Sequence, residues 1–502
     1  MEVIGFEPTT FRVQGGRSPI ELYPRLIYYN LKMDFSKHCF TLLLEISYNN
    51  SEIINKKDLL KRFQMNIILI NQFDVYGGAE KIVYQLAQFY RTFGHRVCLV
   101  VSFKFSTDKI VVEIQNNRIK IFQKFLYLID QYYSRQDIIK KILRVFQSNG
   151  IIKLLTGREK YSITDIQKMV NLAGFIPDII HFHNLRGRHL GPSLIHSAGT
   201  SFPVIITLHD MWLITGKCIQ PGMCDKWKDN CFPCPQSLSF LPVKRGISRN
   251  LQEKIYFISK AKPYICTPSK WLMDIVRNSY LANIASGFYI INNGVNLENF
   301  KPGDKKIARE KLGLHADCNI ILSSGRDIKT NRYKNFSALR TVAKQLSEMD
   351  VKKPVIFLCL GDRGKSEFYK NIEIRFVPFT RDEKVIADYY CAADIYLSTS
   401  ICETWGLTVS EAMACGTPVV GFSTGGLTEQ IIHGENGFLV DCFDIKKMAE
   451  SIFILLTNHQ IREGMALKAA EHARKFFNIE NTASKYLDVY ENILATRDRK
   501  KT

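Results

Sequence analysis

Two doubly wound α/β sheets facing a cleft are what this sequence predicts, on three observations. From Met65 onward, short β-branched runs alternate with amphipathic stretches, among them DIIHFHN, PVIITLHD, NIILSSG, VIFLCLGD, DIYLSTS and TPVVGFS. These runs lack polar alternation, which marks parallel strands covered by helices on both faces. The 502 residues exceed one ordinary core, and turn residues and charge break the pattern in NNGVNLENFKPGDKK, around Asn296 to Lys306.

Residues 1–64 have no sustained period of 2 or 3.6 and are expected to be an appendage, disordered or a mispredicted start. MNIILINQFDVYGGAEKIVYQLAQFYRTFGHRVCLVVS then reads as strand, Gly turn, helix and strand. Ile82, Val83, Leu86, Ala87, Tyr90 and Phe93 line one face of that helix. It opens an N-terminal domain, 65–300, whose later strands include PYICTPS and FYIINNGV. DIIKKILRVFQSNGIIKLL, inside that domain, reads as a helix packed on a sheet, with an interfacial helix on anionic lipid as the alternative. A C-terminal domain, 301–480, adds IEIRFVPF and GFLVD, and 481–502 should form a helix crossing back to the first domain, with a basic tail.

Lys plus Arg exceed Asp plus Glu by 68 − 48 = 20, which points to an anionic partner or simply to solubility. Acidic lipid and nucleoside diphosphates both qualify; no nucleic acid is expected, because no zinc-finger spacing or basic aromatic module accompanies the charge. No run reaches the roughly 18 apolar residues of a membrane span, and the start lacks a signal-peptide pattern. With 13 cysteines, an odd number, a reducing cytosol is expected, with the inner membrane face as a peripheral location.

In open α/β sheets ligands sit at the carboxyl ends of strands. One such end runs into ICETWGLTVSEAMACG, where Thr408 to Cys415 read as a short helix with Gly416 just past its end. The preceding loop, with Trp405, Gly406 and Leu407, feeds an N-terminus whose free N–H groups favour phosphate. Glu403 and Glu411, on either side, suit sugar hydroxyls, carboxylates being pure acceptors. TVSE also reads as a capping box with Thr408 as N-cap and Glu411 at N3, which is the structural alternative. Cys218, Cys224, Cys231 and Cys234 form C-x5-C-x6-C-x2-C on a Pro- and Gly-containing loop, read either as a structural zinc site or as free thiols.

The run DIYLSTSICETWGLTVSEAMACGTPVVGFSTGGLTEQIIHGENGFLVD, Asp394 to Asp441, resembles the C-terminal signature of family 4 glycosyltransferases, which have the GT-B fold. The resemblance implies that Glu411 holds the ribose hydroxyls of a nucleotide sugar and that Glu403 contacts the donor sugar near its anomeric region. SSGRDIKTNRYKNFSAL resembles the family's diphosphate-neutralising pair, mapping to Arg326 and Lys334. The interval is longer than usual, leaving Arg332 or Lys329 as alternatives to Lys334. Gly77 and Gly78, in DVYGGAEKIVYQLA, resemble the family's first Gly-rich loop, and His209 aligns with a histidine near the donor sugar or acceptor. Ser269 and Lys270, in CTPSKW, read as structural at the interdomain face.

Membership implies retaining transfer of a sugar from a nucleotide diphosphate sugar to a glycan or lipid-linked acceptor, in surface polysaccharide biosynthesis. No D-x-D triplet occurs, so no catalytic metal is expected and the only metal considered is the structural zinc. A GT-B nucleotide-sugar epimerase is the near alternative, and a basic zinc-containing nucleic-acid binder the distant one.

Overall fold

The computed structural model describes residues 64–75, 77–114, 156–159, 165–185, 190–222, 224–235 and 241–499. The expected appendage, Gln64 aside, and the stretch DIIKKILRVFQSNGIIKLL lie outside the described residues.

The first sheet contains β1 (Asn66–Phe73), β2 (Arg96–Phe103), β3 (Val111–Glu113), β4 (Ile179–Phe182), β5 (Val204–Thr207), β6 (Tyr264–Thr267) and β7 (Gly287–Ile290). Its order is β3-β2-β1-β4-β5-β6-β7, with parallel pairing throughout. Helices α1 (Gly78–Thr92), α2 (Ile166–Ala173), α3 (Pro192–Gly199), α4 (Leu241–Ala261) and α5 (Lys270–Arg277) connect these strands. On α1, Ile82, Val83, Leu86, Ala87 and Tyr90 are fully buried, as the helical spacing predicts, whereas Phe93 lies just past the helix end and is half-buried.

The second domain begins with α6 (Lys305–Lys311), β8 (Asn319–Ser324) and α7 (Phe336–Leu346), followed by β9 (Val355–Leu360), β10 (Glu367–Tyr369) and β11 (Ile372–Val377). It continues through α8 (Glu383–Ala392), β12 (Ile395–Ser398), α9 (Leu407–Ala414), β13 (Val419–Phe422), α10 (Leu427–Gln430) and β14 (Gly437–Val440). The order is β10-β11-β9-β8-β12-β13-β14, with only the β10 and β11 pair antiparallel among the described strands. In each sheet the chain reverses direction of growth beside its first strand, between β1 and β4 and between β8 and β12. Those are the switch points at which a ligand crevice opens.

After α11 (Ile445–Thr457) and α12 (His459–Phe476), α13 (Ile479–Arg499) returns to the first domain. It starts two residues before the expected 481, because the chain is already pinned there: Val295 N–H donates to Phe477 O at 2.6 Å and Ile479 N–H to Val295 O at 3.1 Å. The strands cross so closely that a Cβ on Gly294 would lie 2.3 Å from Ile479 Cα. Ala469 and Ala473 of α12 belong to the second domain's core, whereas Ala483, Tyr486, Tyr490 and Ile493 of α13 pack with Leu86 and Tyr90 in the first. Each such buried large side chain contributes about 1.5–3 kcal/mol.

Beneath α13 a buried polar chain fixes the register. His181 Nδ1 lies 2.6 Å from Tyr490 Oη and its Nε2 2.8 Å from Thr207 Oγ1, which is 3.0 Å from Tyr486 Oη. Burial holds His181 well below the usual histidine pKa, so it is neutral and able to donate and accept at once. Its role is structural, in keeping with its place mid-sheet rather than at a strand end.

Candidate active site in the interdomain cleft

A cavity of 1180 Å³ opens between the two sheets at the switch points, lined from one side by Gly77, Gly78 and Lys81 and from the other by Arg326, Lys334, Glu403 and Glu411. Its second-domain wall is built around α9. That helix begins at Leu407, with Gly406 as N-cap at φ 92°, a left-handed conformation that favours glycine, and no side chain caps it. The first N–H groups of α9 and the positive end of its dipole therefore face the cavity beside Gly406, Leu407 and Thr408.

This corrects the capping-box reading: the helix starts one residue before the expected Thr408, so Glu411 is its fifth residue rather than N3. Its carboxylate instead accepts from Lys81 Nζ at 2.6 Å on Oε1 and from Tyr390 Oη at 3.0 Å on Oε2. Gly416 follows the helix at φ 75°, as expected.

Glu403 precedes α9. Its Oε1 accepts from Lys334 Nζ at 2.7 Å, and its carbonyl accepts from Gly426 N–H at 3.0 Å. Gly425, at φ 54°, allows that approach, since a Cβ there would lie 1.8 Å from the Glu403 carbonyl oxygen. Trp405 departs from expectation. Only 2 % exposed, it points away from the cavity, donates from Nε1 to Ser410 Oγ at 3.1 Å and meets Phe477 edge-on. An indole has too much apolar surface to leave in a phosphate loop when the core beneath α9 can take it.

The basic loop after β8 brings Arg326 and Lys334 to the same cavity. Burial pulls the Lys334 ammonium pKa down, but the adjacent Glu403 carboxylate outweighs it and leaves the pKa raised. The two alternatives turn elsewhere: Lys329 Nζ lies 3.4 Å from the centroid of the Phe376 ring, and Arg332 donates to Tyr333 Oη at 2.8 Å.

On the opposite wall, Gly77 caps α1 with extended backbone and no side-chain cap, and a Cβ on Gly78 would sit 3.7 Å from Leu407 Cδ2 across the cleft. Sequence reasoning missed Lys81, Tyr390 and Glu383. Lys81 reaches Glu411 and also Glu383 Oε1 at 2.9 Å; burial lowers its pKa, but Glu411 and then Glu383 raise it above the usual lysine value. The signal was present in GGAEK, whose lysine sits in the first turn of a helix aimed at the cleft, but its carboxylate partners lie over 300 residues away.

His209 follows β5 but does not line the large cavity. Together with His183, Asn184 and Asp210 it borders a separate recess of 20 Å³. Its Nε2 is 3.1 Å from His183 Nδ1, and burial lowers its pKa to about 4, so the ring is neutral near pH 7. The His209 carbonyl accepts from Thr404 Oγ1 at 2.8 Å, which ties the end of β5 to the Glu403 loop. Ser269 caps α5 through a 3.2 Å bond to Leu272 N–H, and the N–H of Lys270 donates to Glu429 of the second domain at 2.9 Å, matching a structural role at the interface.

Cys218, Cys224, Cys231 and Cys234 line one recess of 10 Å³. Cys231 Sγ accepts from Gly216 N–H at 3.2 Å, and burial raises that thiol to about 11. Among the described residues, no three His, Cys, Asp or Glu side chains are arranged to hold a metal ion. As they stand, Cys231 and Cys234 pack as small apolar groups in the first domain's core. The loop also touches the second domain, Gln220 donating to Cys402 O at 3.1 Å and its carbonyl accepting from Tyr333 Oη at 2.9 Å. No helix among the described residues is long and apolar enough to cross a membrane.

Two family models match this chain in succession: Glycosyltransferase Family 4 over residues 76–299 and Glycosyl transferases group 1 over residues 304–475. The D-inositol 3-phosphate glycosyltransferase of Thermobispora bispora is 32% identical over 218 residues, 41% of this chain and 50% of the relative. D-inositol 3-phosphate glycosyltransferase 1 of Catenulispora acidiphila is 27% identical over 318 residues, 60% of this chain and 68% of the relative. The chain thus spans about half the length of most of the curated relatives it matches. Among solved structures, sucrose-phosphate synthase from Thermosynechococcus elongatus superposes with a TM-score of 0.58 at 19% identity, over 86% of this chain and 100% of that one. The HepE protein of Anabaena, in complex with UDP and glucose, superposes with a TM-score of 0.53 at 16% identity, over 86% and 100%. At these identities the structural likeness is one of fold, the two-domain GT-B arrangement. With consecutive models running over residues 76–299 of the first domain and 304–475 of the second, the chain belongs to family 4 of the glycosyltransferases.

Proposed function

We propose that this protein transfers a glycosyl group from a nucleoside diphosphate sugar to a hydroxyl of a glycan or lipid-linked acceptor, with retention at the anomeric carbon, in surface polysaccharide biosynthesis. The observation that carries the reading is the convergence on one cavity of an uncapped helix N-terminus, the cations Arg326 and Lys334 and the carboxylates of Glu403 and Glu411. The pyrophosphate would lie against the amides of Gly406 to Thr408, with Arg326 and Lys334 on its outer oxygens. Glu411 would accept from the ribose hydroxyls, and Glu403 from the transferred sugar.

As the bond between the anomeric carbon and the phosphate oxygen breaks, negative charge grows on the leaving diphosphate, and fixed cations and amide dipoles aimed there lower the barrier. The acceptor hydroxyl attacks from the same face, forming the glycosidic bond and passing its proton to the departing phosphate. His209, neutral and bonded to the Glu403 loop through its carbonyl, is read as supporting the acceptor side. HepE's complex with UDP makes uridine the first base to try, and the curated relatives' names make a phosphorylated polyol the second acceptor to test.

The test incubates purified protein with UDP-, GDP- and ADP-sugars, with and without lipid-linked or polyol phosphate acceptors. Nucleoside diphosphate release that needs an acceptor is expected; donor turnover without one would favour the epimerase, and release from no donor would overturn the reading. An inner-membrane location follows only if lipid-linked acceptors are the ones used.

The four-cysteine loop is read as a structural zinc site in which the thiols close in on the recess they share. Elemental analysis should find about one zinc per chain, and a chelator should lower the melting temperature. Metal-free protein with an unchanged melt would overturn that reading.

A further inference from the structure

Glu411 is nearly enclosed, its side chain 7 % exposed, yet one of its two oxygens is taken by a cation from the opposite domain. A buried carboxylate left unpaired is costly, so Glu411 needs a cationic or donor partner at this point. Lys81 supplies it from the first turn of α1, its ammonium 4.4 Å from the centroid of the Phe300 ring.

Lys81 also has somewhere else to go. Glu383, on α8, holds it at 2.9 Å and is itself fixed by Asn299 Nδ2 at 2.7 Å on Oε2 and by Gln85 Nε2 at 3.2 Å on Oε1. The ammonium is therefore shared between two carboxylates that both line the cavity, Glu411 on α9 and Glu383 on α8. A vicinal diol on Glu411 needs acceptor positions on that carboxylate, and Tyr390 already occupies Oε2.

We propose that Lys81 is a displaceable latch. It neutralises Glu411 and ties the two domains while the cleft is empty, then withdraws onto Glu383 when a ribose diol takes its place. This rests on the reading of Glu411 as the ribose acid. Lys81 is accordingly a positioning residue, and part of the binding energy of the nucleotide is spent on opening the pair.

The test compares binding of UDP, with GDP and ADP alongside, and of inorganic pyrophosphate, by titration calorimetry on Lys81→Met, Lys81→Arg, Glu383→Gln and Glu411→Gln. Lys81→Met should bind the nucleoside diphosphate roughly tenfold more tightly, the latch being absent, with pyrophosphate affinity unchanged or slightly weaker. Glu383→Gln should bind it more weakly, because Lys81 loses its second seat and stays on Glu411. Lys81→Arg should fall between the native protein and Lys81→Met, since a planar fork does not reproduce a compact ammonium shared by two carboxylates. A purely structural or phosphate-binding lysine predicts the opposite sign for Lys81→Met, weaker binding of every anion, and that result overturns the latch. Should Lys81→Met fail to fold, Glu383→Gln alone decides: unchanged or tighter nucleotide binding rejects the proposal. Glu411→Gln separates the two claims. If it weakens nucleotide binding while the Lys81 and Glu383 variants show no opposed effect, only the latch falls; if it leaves affinity unchanged, the ribose assignment falls and takes the latch with it.

Discussion

Lys334→Met is expected to lower kcat/KM by about 10²–10³-fold, the scale on which a preorganised charge donor to a developing anion acts. The lysine stands 2.7 Å from Glu403 Oε1 at the edge of the cavity that the uncapped end of α9 faces. Its paired carboxylate holds it charged and in place, and Arg326, from the same loop, stands on the same wall of the cavity. Lys334→Arg should recover only part of the loss, since a planar fork cannot occupy the same point as a compact ammonium. Lys329→Ala and Arg332→Ala are expected to cost far less, their side chains being directed to Phe376 and Tyr333. Steady-state kinetics on the four variants decide the matter: a larger loss in either alanine variant than in Lys334→Met would move the diphosphate role to that residue.

Gly425→Ala is expected to remove activity with much less effect on the fold. The substitution does not merely disfavour a left-handed backbone; it drives a methyl group onto the Glu403 carbonyl, 1.8 Å away in the native geometry. That carbonyl is bonded to Gly426 N–H, so the loop from Glu403 to Gly406 must move as a body, carrying its carboxylate away from Lys334. A displacement of about 1 Å at a catalytic group costs about 100-fold in rate. Turnover should fall by at least that factor while circular dichroism stays native. Native turnover in a folded Gly425→Ala protein would show that the Glu403 loop does not have to hold this shape.

Most strands that the sequence disclosed were buried ones, because continuous β-branched runs such as NIILSS and VIFLCL need no partner to be recognised; the half-exposed β7 and the alternating β11 were legible too. Two edge strands, β3 and β10, escaped because three residues carry no period. Second-domain site residues were legible because Glu403, Gly406, Leu407 and Glu411 sit in one continuous stretch, and the signature around them is dense. What the sequence hid was pairing across the cleft. Nothing local to Lys81 reveals that it meets Glu411 and Glu383, and nothing local to Trp405 tells whether an indole in a loop faces ligand or core. TVSE looked like a cap because the spacing alone is ambiguous; the left-handed Gly406, one residue upstream of the helix, decides it.

A crystal structure of the protein with UDP bound should show pyrophosphate oxygens against the N–H groups of Gly406 to Thr408, between Arg326 and Lys334, with the ribose hydroxyls on Glu411. A diphosphate seated elsewhere, or a ribose that does not touch Glu411, would contradict that placement.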